Sequence, residues 1–141
     1  MPGKYYKMAF PSEMFKVKPV ILNTVEFIRL NLLSIDENDL YDLRLIYSEL
    51  LCNAVIHGNK SDSNKLVTLT VELEEDTVCS VISDEGCGFD YGSLLCEACL
   101  ESNVYNERGR GIMLVHSLAD DISFNGRGNE IKFLKKVKRN G

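Results

Sequence analysis

Apolar residues along the chain alternate in some stretches and recur at three and four in others, and the two periods predict its elements. Residues 4–17 are rich in apolar and aromatic side chains and read as an edge strand broken at Pro11. Val20, Ile21, Thr24, Val25, Phe27, Ile28 and Leu32 follow helical spacing, which predicts a helix over about 19–33 with Pro19 in its first turn. Ser34 to Asn38 forms the link. The strongest pattern runs from about Asp36 to His57, where Leu40, Leu43, Tyr47, Leu50 and Ala54 make one stripe and Ile46, Leu51 and Val55 widen it, so this helix is expected to be largely buried. Gly58, with the polar run to Asn64 behind it, predicts a left-handed cap and a turn.

Strict alternation then takes over. Val67, Leu69, Val71 and Leu73 fall on one side of a strand and Leu66, Thr68, Thr70 and Glu72 on the other, and Glu74 to Thr77 is a hairpin leading to a second strand over Val78 to Ser83. The segment from Phe89 to Arg108 has no period and reads as a long functional loop with one short helix around 93–100. Ile112, Met113, Val115, His116, Leu118 and Ala119 predict a helix over about 111–119, introduced by Gly109-Arg110-Gly111. Final strands are expected at 121–125 and 129–137, joined by Gly126 to Asn129. This order suits an α/β fold in which helices cover one face of a sheet.

Composition narrows the class. The chain has 141 residues, enough for one ordinary core, so one domain over 1–141 is expected. A formal net charge of -5 argues against a general polyanion binder, and no direct nucleic-acid partner is expected. Apolar runs fall short of the roughly 18 residues of a membrane helix, and the opening Met1-Pro2-Gly3-Lys4 carries no apolar signal segment, so no membrane partner and a cytoplasmic location are expected. The 5 cysteines are an odd, scattered set, unlike a disulfide scaffold. Cys96 and Cys99 have CxxC spacing, yet a zinc site needs further ligands and a redox motif needs a strand–helix context, so they are expected to be reduced bystanders.

Three segments carry candidate chemistry. Glu49 and Asn53, four apart on a helix, project from one face, and His57 follows one turn later. An asparagine oxygen can be one of the few protein ligands of a Mg2+ ion that keeps its waters, and a carboxylate one turn away can take a proton from a hydroxyl. The plainer alternative is a solvent-facing pair with His57 capping the helix end. Asp84-Glu85-Gly86-Cys87-Gly88 directly follows a strand; its aspartate could accept a hydrogen bond from an exocyclic amine while Gly86 and Gly88 admit a flat ring, the alternative being an ordinary turn. Gly109-Arg110-Gly111 opening a helix offers backbone donors to phosphate without the GKS or GKT ending of a P-loop.

Together, and in this order, these segments resemble the ATP-binding domain shared by gyrase-type ATPases, heat-shock chaperones, mismatch-repair ATPases and histidine kinases. Within that superfamily the chain looks like the anti-sigma factor serine-protein kinases, a resemblance that runs from its first strand to Lys136. The resemblance implies a two-layer α/β sandwich, with a mixed, mostly antiparallel sheet and helices on one face. It implies ATP and Mg2+ as cofactors, with Asn53 on the metal and Glu49 as general base. Asp84 corresponds to the aspartate that receives the adenine amine, Gly86 and Gly88 to the adenine pocket, and Gly109 and Gly111 to the second glycine box, with Arg108 and Arg110 suited to phosphate or partner contact. Where relatives have Gly-Thr in the last hairpin, this chain has Gly128-Asn129, and Asn129 can donate and accept in the threonine's place.

The implied function is a serine-protein kinase that sequesters a sigma factor and phosphorylates an anti-anti-sigma partner, with a homodimer allowed. Two other readings stay open: a nucleotide-binding regulator without catalysis, and a histidine-kinase-like or ATPase domain of a larger assembly. Glu49 weighs against the histidine-kinase version.

Overall fold

A computed structural model describes residues 4–88 and 107–140, and of 107–110 only the helical backbone. The chain runs β1 (Lys4–Pro11), α1 (Met14–Asn31), α2 (Glu37–Asn53), a π-helical turn (Ala54–Gly58), β2 (Leu66–Glu74), β3 (Thr77–Ser83), α3 (Glu107–Leu118), β4 (Asp121–Phe124) and β5 (Glu130–Lys136). The five strands form one sheet in the order β1-β2-β3-β5-β4, and every pairing is antiparallel.

Register explains which face is covered. Met8, Leu69, Ile82, Ile131 and Phe124 align across all five strands, and Tyr6, Val71, Ser80, Phe133 and Ile122 form the next row on the same face. This is the face on which α1, α2 and α3 pack, with Ile28, Leu43, Ile46, Leu50, Ile112 and Val115 buried against it. The expected two-layer sandwich is therefore present. Tyr47 of α2 spans the layers: its ring meets Phe133 edge-on at 5.4 Å and its hydroxyl shares a 2.5 Å hydrogen bond with Ser80. Among the described residues no helix is long and apolar enough to cross a membrane.

Several boundaries differ from expectation. The first strand ends at Pro11 rather than continuing to 17, because Ser12 turns the chain by giving both its N–H and its hydroxyl to the Lys65 carbonyl. The first helix starts at Met14, not at about 19, so Pro19 lies inside it and forfeits a backbone bond. Val17 and Val20, both buried, hold this early turn in place. Asp36 caps α2 by accepting the Asn38 N–H at 2.8 Å. Its regular helix stops at Asn53 and the predicted stretch to His57 finishes as the π turn. The third helix begins at Glu107 rather than 111, and the last two strands span 121–124 and 130–136 rather than 121–125 and 129–137. The short helix expected around 93–100, together with Cys96 and Cys99, lies outside the described residues.

The basic tail from Lys135 to Arg139 packs onto the fold. Lys135 is 6% exposed and its Nζ donates to the Leu118 carbonyl at the end of α3 at 2.8 Å, with Asp42 of α2 at 3.8 Å. Farther on, the Lys138 N–H donates to Asp39 and Arg139 pairs with Asp76 at 2.9 Å.

Candidate functional site

α2 and α3 approach closely enough that a β-carbon at Gly111 would fall on the Glu49 carboxylate and stand 3.5 Å from Asn53 Nδ2. Glycine costs up to about 1 kcal/mol inside a helix, and here it leaves the space that the Glu49 carboxylate occupies. Gly109 and Arg110 sit in the first turn of α3 and Gly111 in the second, so the segment lies within the helix rather than ahead of it. The first-turn amides of Glu107 to Arg110 still have no partner four residues back inside the helix, as an anion site requires.

Glu49, Cys52, Asn53, Ile56, His57, Gly111 and Leu114 line one cleft of about 420 Å³. The π turn helps to assemble it. Its wider coil advances each residue by less than the α-helix's roughly 100°, which keeps His57 close to the phase of Asn53. Asn53 is only 5% exposed, and its amide nitrogen has no hydrogen-bond partner among the described residues. One end of this buried amide is thus left without a partner among the described residues, and a half-turn exchanges oxygen for nitrogen in the cleft. A single hard oxygen beside a carboxylate fits Mg2+, which takes few protein ligands when phosphates complete its shell. Burial raises the Cys52 thiol above its ordinary value, partly offset by a hydrogen bond with Ser48.

The Asp84 segment meets the far end of the same turn. A β-carbon at Gly58 would strike the Asp84 carboxylate, and one at Gly86 would strike the Gly58 carbonyl. Gly58 was expected to adopt a left-handed cap; the left-handed residues are instead Lys60 (φ 53) and Ser61 (φ 57), and the role of Gly58 is to clear Asp84. Asp84 Oδ1 accepts the Gly86 N–H at 2.8 Å. Gly88, at φ 96, lies against the Arg127 carbonyl of the last hairpin. Asn129 reaches Asp84 through the main chain, its carbonyl accepting the Asp84 N–H at 2.9 Å, and its side-chain amide stands 3.5 Å from the Asp84 carbonyl.

The structure thus brings Glu49, Asn53, His57 and Gly111 to one cleft, and Asp84, Gly86, Gly88 and Asn129 to the adjoining end of the sheet. Arg108 and Arg110 have no described side chains. Compared with known families, residues 10–135 match the histidine kinase-like ATPase domain. Serine-protein kinase RsbW of Staphylococcus aureus, in strains JH9, Newman and JH1, is 31% identical over 109 residues, covering 72% of this chain and 69% of the relative. This chain belongs to the anti-sigma factor serine-protein kinase family of histidine kinase-like ATPases. Family membership accounts for the fold and for the order of the three segments.

Sequence reading missed one buried residue beside this site. Asn59 reads as a loop residue after Gly58, yet it is 1% exposed and bonded to three separate segments. Its partners, Ser12, Leu66 and Glu85, are far apart in the chain, so no local pattern marks it.

Proposed function

We propose that this protein is an ATP-dependent serine-protein kinase that binds a sigma factor and phosphorylates a serine on an anti-anti-sigma partner. The observation that carries the reading is the convergence of Glu49, Asn53 and Gly111 on one cleft, in a chain whose relatives are named serine-protein kinases. Asn53 would hold Mg2+ through its amide oxygen, and the ion supplies charge neutralisation to the phosphates. Asp84 accepts the amino hydrogen of adenine, and Gly86 and Gly88 let its segment pack closely on the main chain of Gly58 and Arg127. Glu49 takes the proton of the incoming serine hydroxyl as its oxygen bonds to the terminal phosphorus and ADP departs. The first-turn amides of α3, including those of Gly109 and Arg110, would supply hydrogen-bond donors to the developing charge. A cytoplasmic protein follows from such partners.

Single-turnover transfer to the partner serine, measured beside nucleotide titrations, tests the assignment. Glu49→Ala is expected to lose about 100-fold to 10,000-fold in transfer rate and to keep ATP affinity within a few fold. Asn53→Ala is expected to lose Mg2+-nucleotide binding and transfer together. Parental transfer by Glu49→Ala would exclude it as the base. A parent that binds ATP but never transfers phosphate would make the protein a non-catalytic regulator.

A further inference from the structure

We infer that Asn59 is a positioning residue for base recognition, acting on Asp84 through the peptide unit that follows it. The inference rests on the assignment of Asp84 to the adenine amine. Asn59 Nδ2 donates to Ser12 Oγ at 2.7 Å and to the Leu66 carbonyl at 3.0 Å, which anchors the side chain between β1 and β2. Its Oδ1 accepts the Glu85 N–H at 2.7 Å. Both amide donors and an acceptor position are therefore engaged inside a buried environment.

The Glu85 N–H belongs to the planar peptide that begins with the Asp84 carbonyl, and that carbonyl faces the Asn129 side-chain amide on the other side. Asn59 thus holds the N–H end of one rigid plane, with the Asn129 amide 3.5 Å from its carbonyl end. With the Asp84 N–H fixed by the Asn129 carbonyl as well, the backbone angles that aim the Asp84 carboxylate have little freedom. Glu85 adds a second tie, its carboxylate accepting the Leu66 N–H at 2.5 Å. Gly58, the residue before Asn59, leaves the space that the Asp84 carboxylate fills. One short segment at the end of the π turn therefore both makes room for the aspartate and sets its direction.

A purely structural Asn59 would affect stability and leave base preference alone. Calorimetric binding of ATP and of inosine triphosphate, which carries an oxo group in place of the amine, separates the two roles. In the parent ATP should bind more tightly. Asn59→Ala should lower ATP affinity about tenfold, the worth of one misdirected hydrogen bond, with little change for inosine triphosphate, so the preference shrinks by the same factor. Ser12→Ala, which removes an anchor but keeps the Glu85 contact, should lower the melting temperature and retain the preference.

A folded Asn59→Ala with the parental preference overturns the inference alone. A parent indifferent to the two nucleotides removes the Asp84 assignment, and the inference falls with it. Should Asn59→Ala fail to fold, amide exchange in the parent decides. Protection of the Glu85 amide like that of the β2 and β3 amides supports the clamp, and exchange at the rate of an exposed loop overturns it.

Discussion

A methyl group added at Gly111 meets the end of Glu49, a flexible carboxylate, whereas one added at Gly86 meets the carbonyl of Gly58, which is fixed main chain. The same substitution should therefore act differently at the two sites. In Gly111→Ala the carboxylate can swing aside, and alanine's better helix propensity offsets the contact, so stability should stay within about 1 kcal/mol of the parent. If Glu49 is the base proposed above, transfer should nevertheless fall about 100-fold, because a base displaced by an ångström loses its alignment with the hydroxyl. Gly86→Ala must move backbone and should lower unfolding free energy by about 1–3 kcal/mol. Urea unfolding and single-turnover transfer on both variants check the contrast; equal loss of stability in the two would refute it.

α2 is fastened to the sheet by Tyr47, whose phenol reaches Ser80 of β3 while its ring packs on Phe133 of β5. Burial holds the Tyr47 hydroxyl well above the usual phenol range, only partly opposed by the Ser80 hydrogen bond. The native state thus keeps this proton more tightly than the unfolded chain does. Stability from the group is complete below the unfolded phenol's value of about 10 and declines as pH rises beyond it towards the higher native value. Tyr47→Phe should cost about 1–2 kcal/mol at neutral pH by leaving Ser80 buried without its partner. It should also flatten the loss of stability above pH about 10, which denaturant titrations at several alkaline pH values would read. A variant with the parental slope there would show that other groups govern the alkaline limb.

At the scale of the whole molecule, α2, α3 and the Asp84 segment reach the site from separate parts of the chain, so a nucleotide bridging them should stabilise the fold as a unit. Binding at a hundred times the dissociation constant adds about 2.7 kcal/mol. ATP with Mg2+ should raise the melting temperature more than ATP with a chelator, and Asn53→Ala should remove the difference. A shift identical with and without the metal would tell against Asn53 as its ligand. The tail contributes to the same unity, since Lys135 joins the end of α3 to β5 and Lys138 ties the chain to the first turn of α2.

Local periodicity determined much of this architecture. The stripe on α2 and the alternation in β2 and β3 identify buried faces directly, because side-chain period follows backbone geometry alone. The spacing of Glu49 and Asn53 puts them on one helix face for the same reason. Tertiary structure decided what depends on contact between distant segments. Val17 carries α1 back past Pro19 because the core accepts it, and Gly111, inside α3, leaves the space that Glu49 occupies beside it. Gly58 is needed for the Asp84 carboxylate, 26 positions away, and not for its own backbone angles. Asn59 gains its importance from Ser12, Leu66 and Glu85. A sequence records such residues one at a time, and only folding places the atoms that each must bond or avoid.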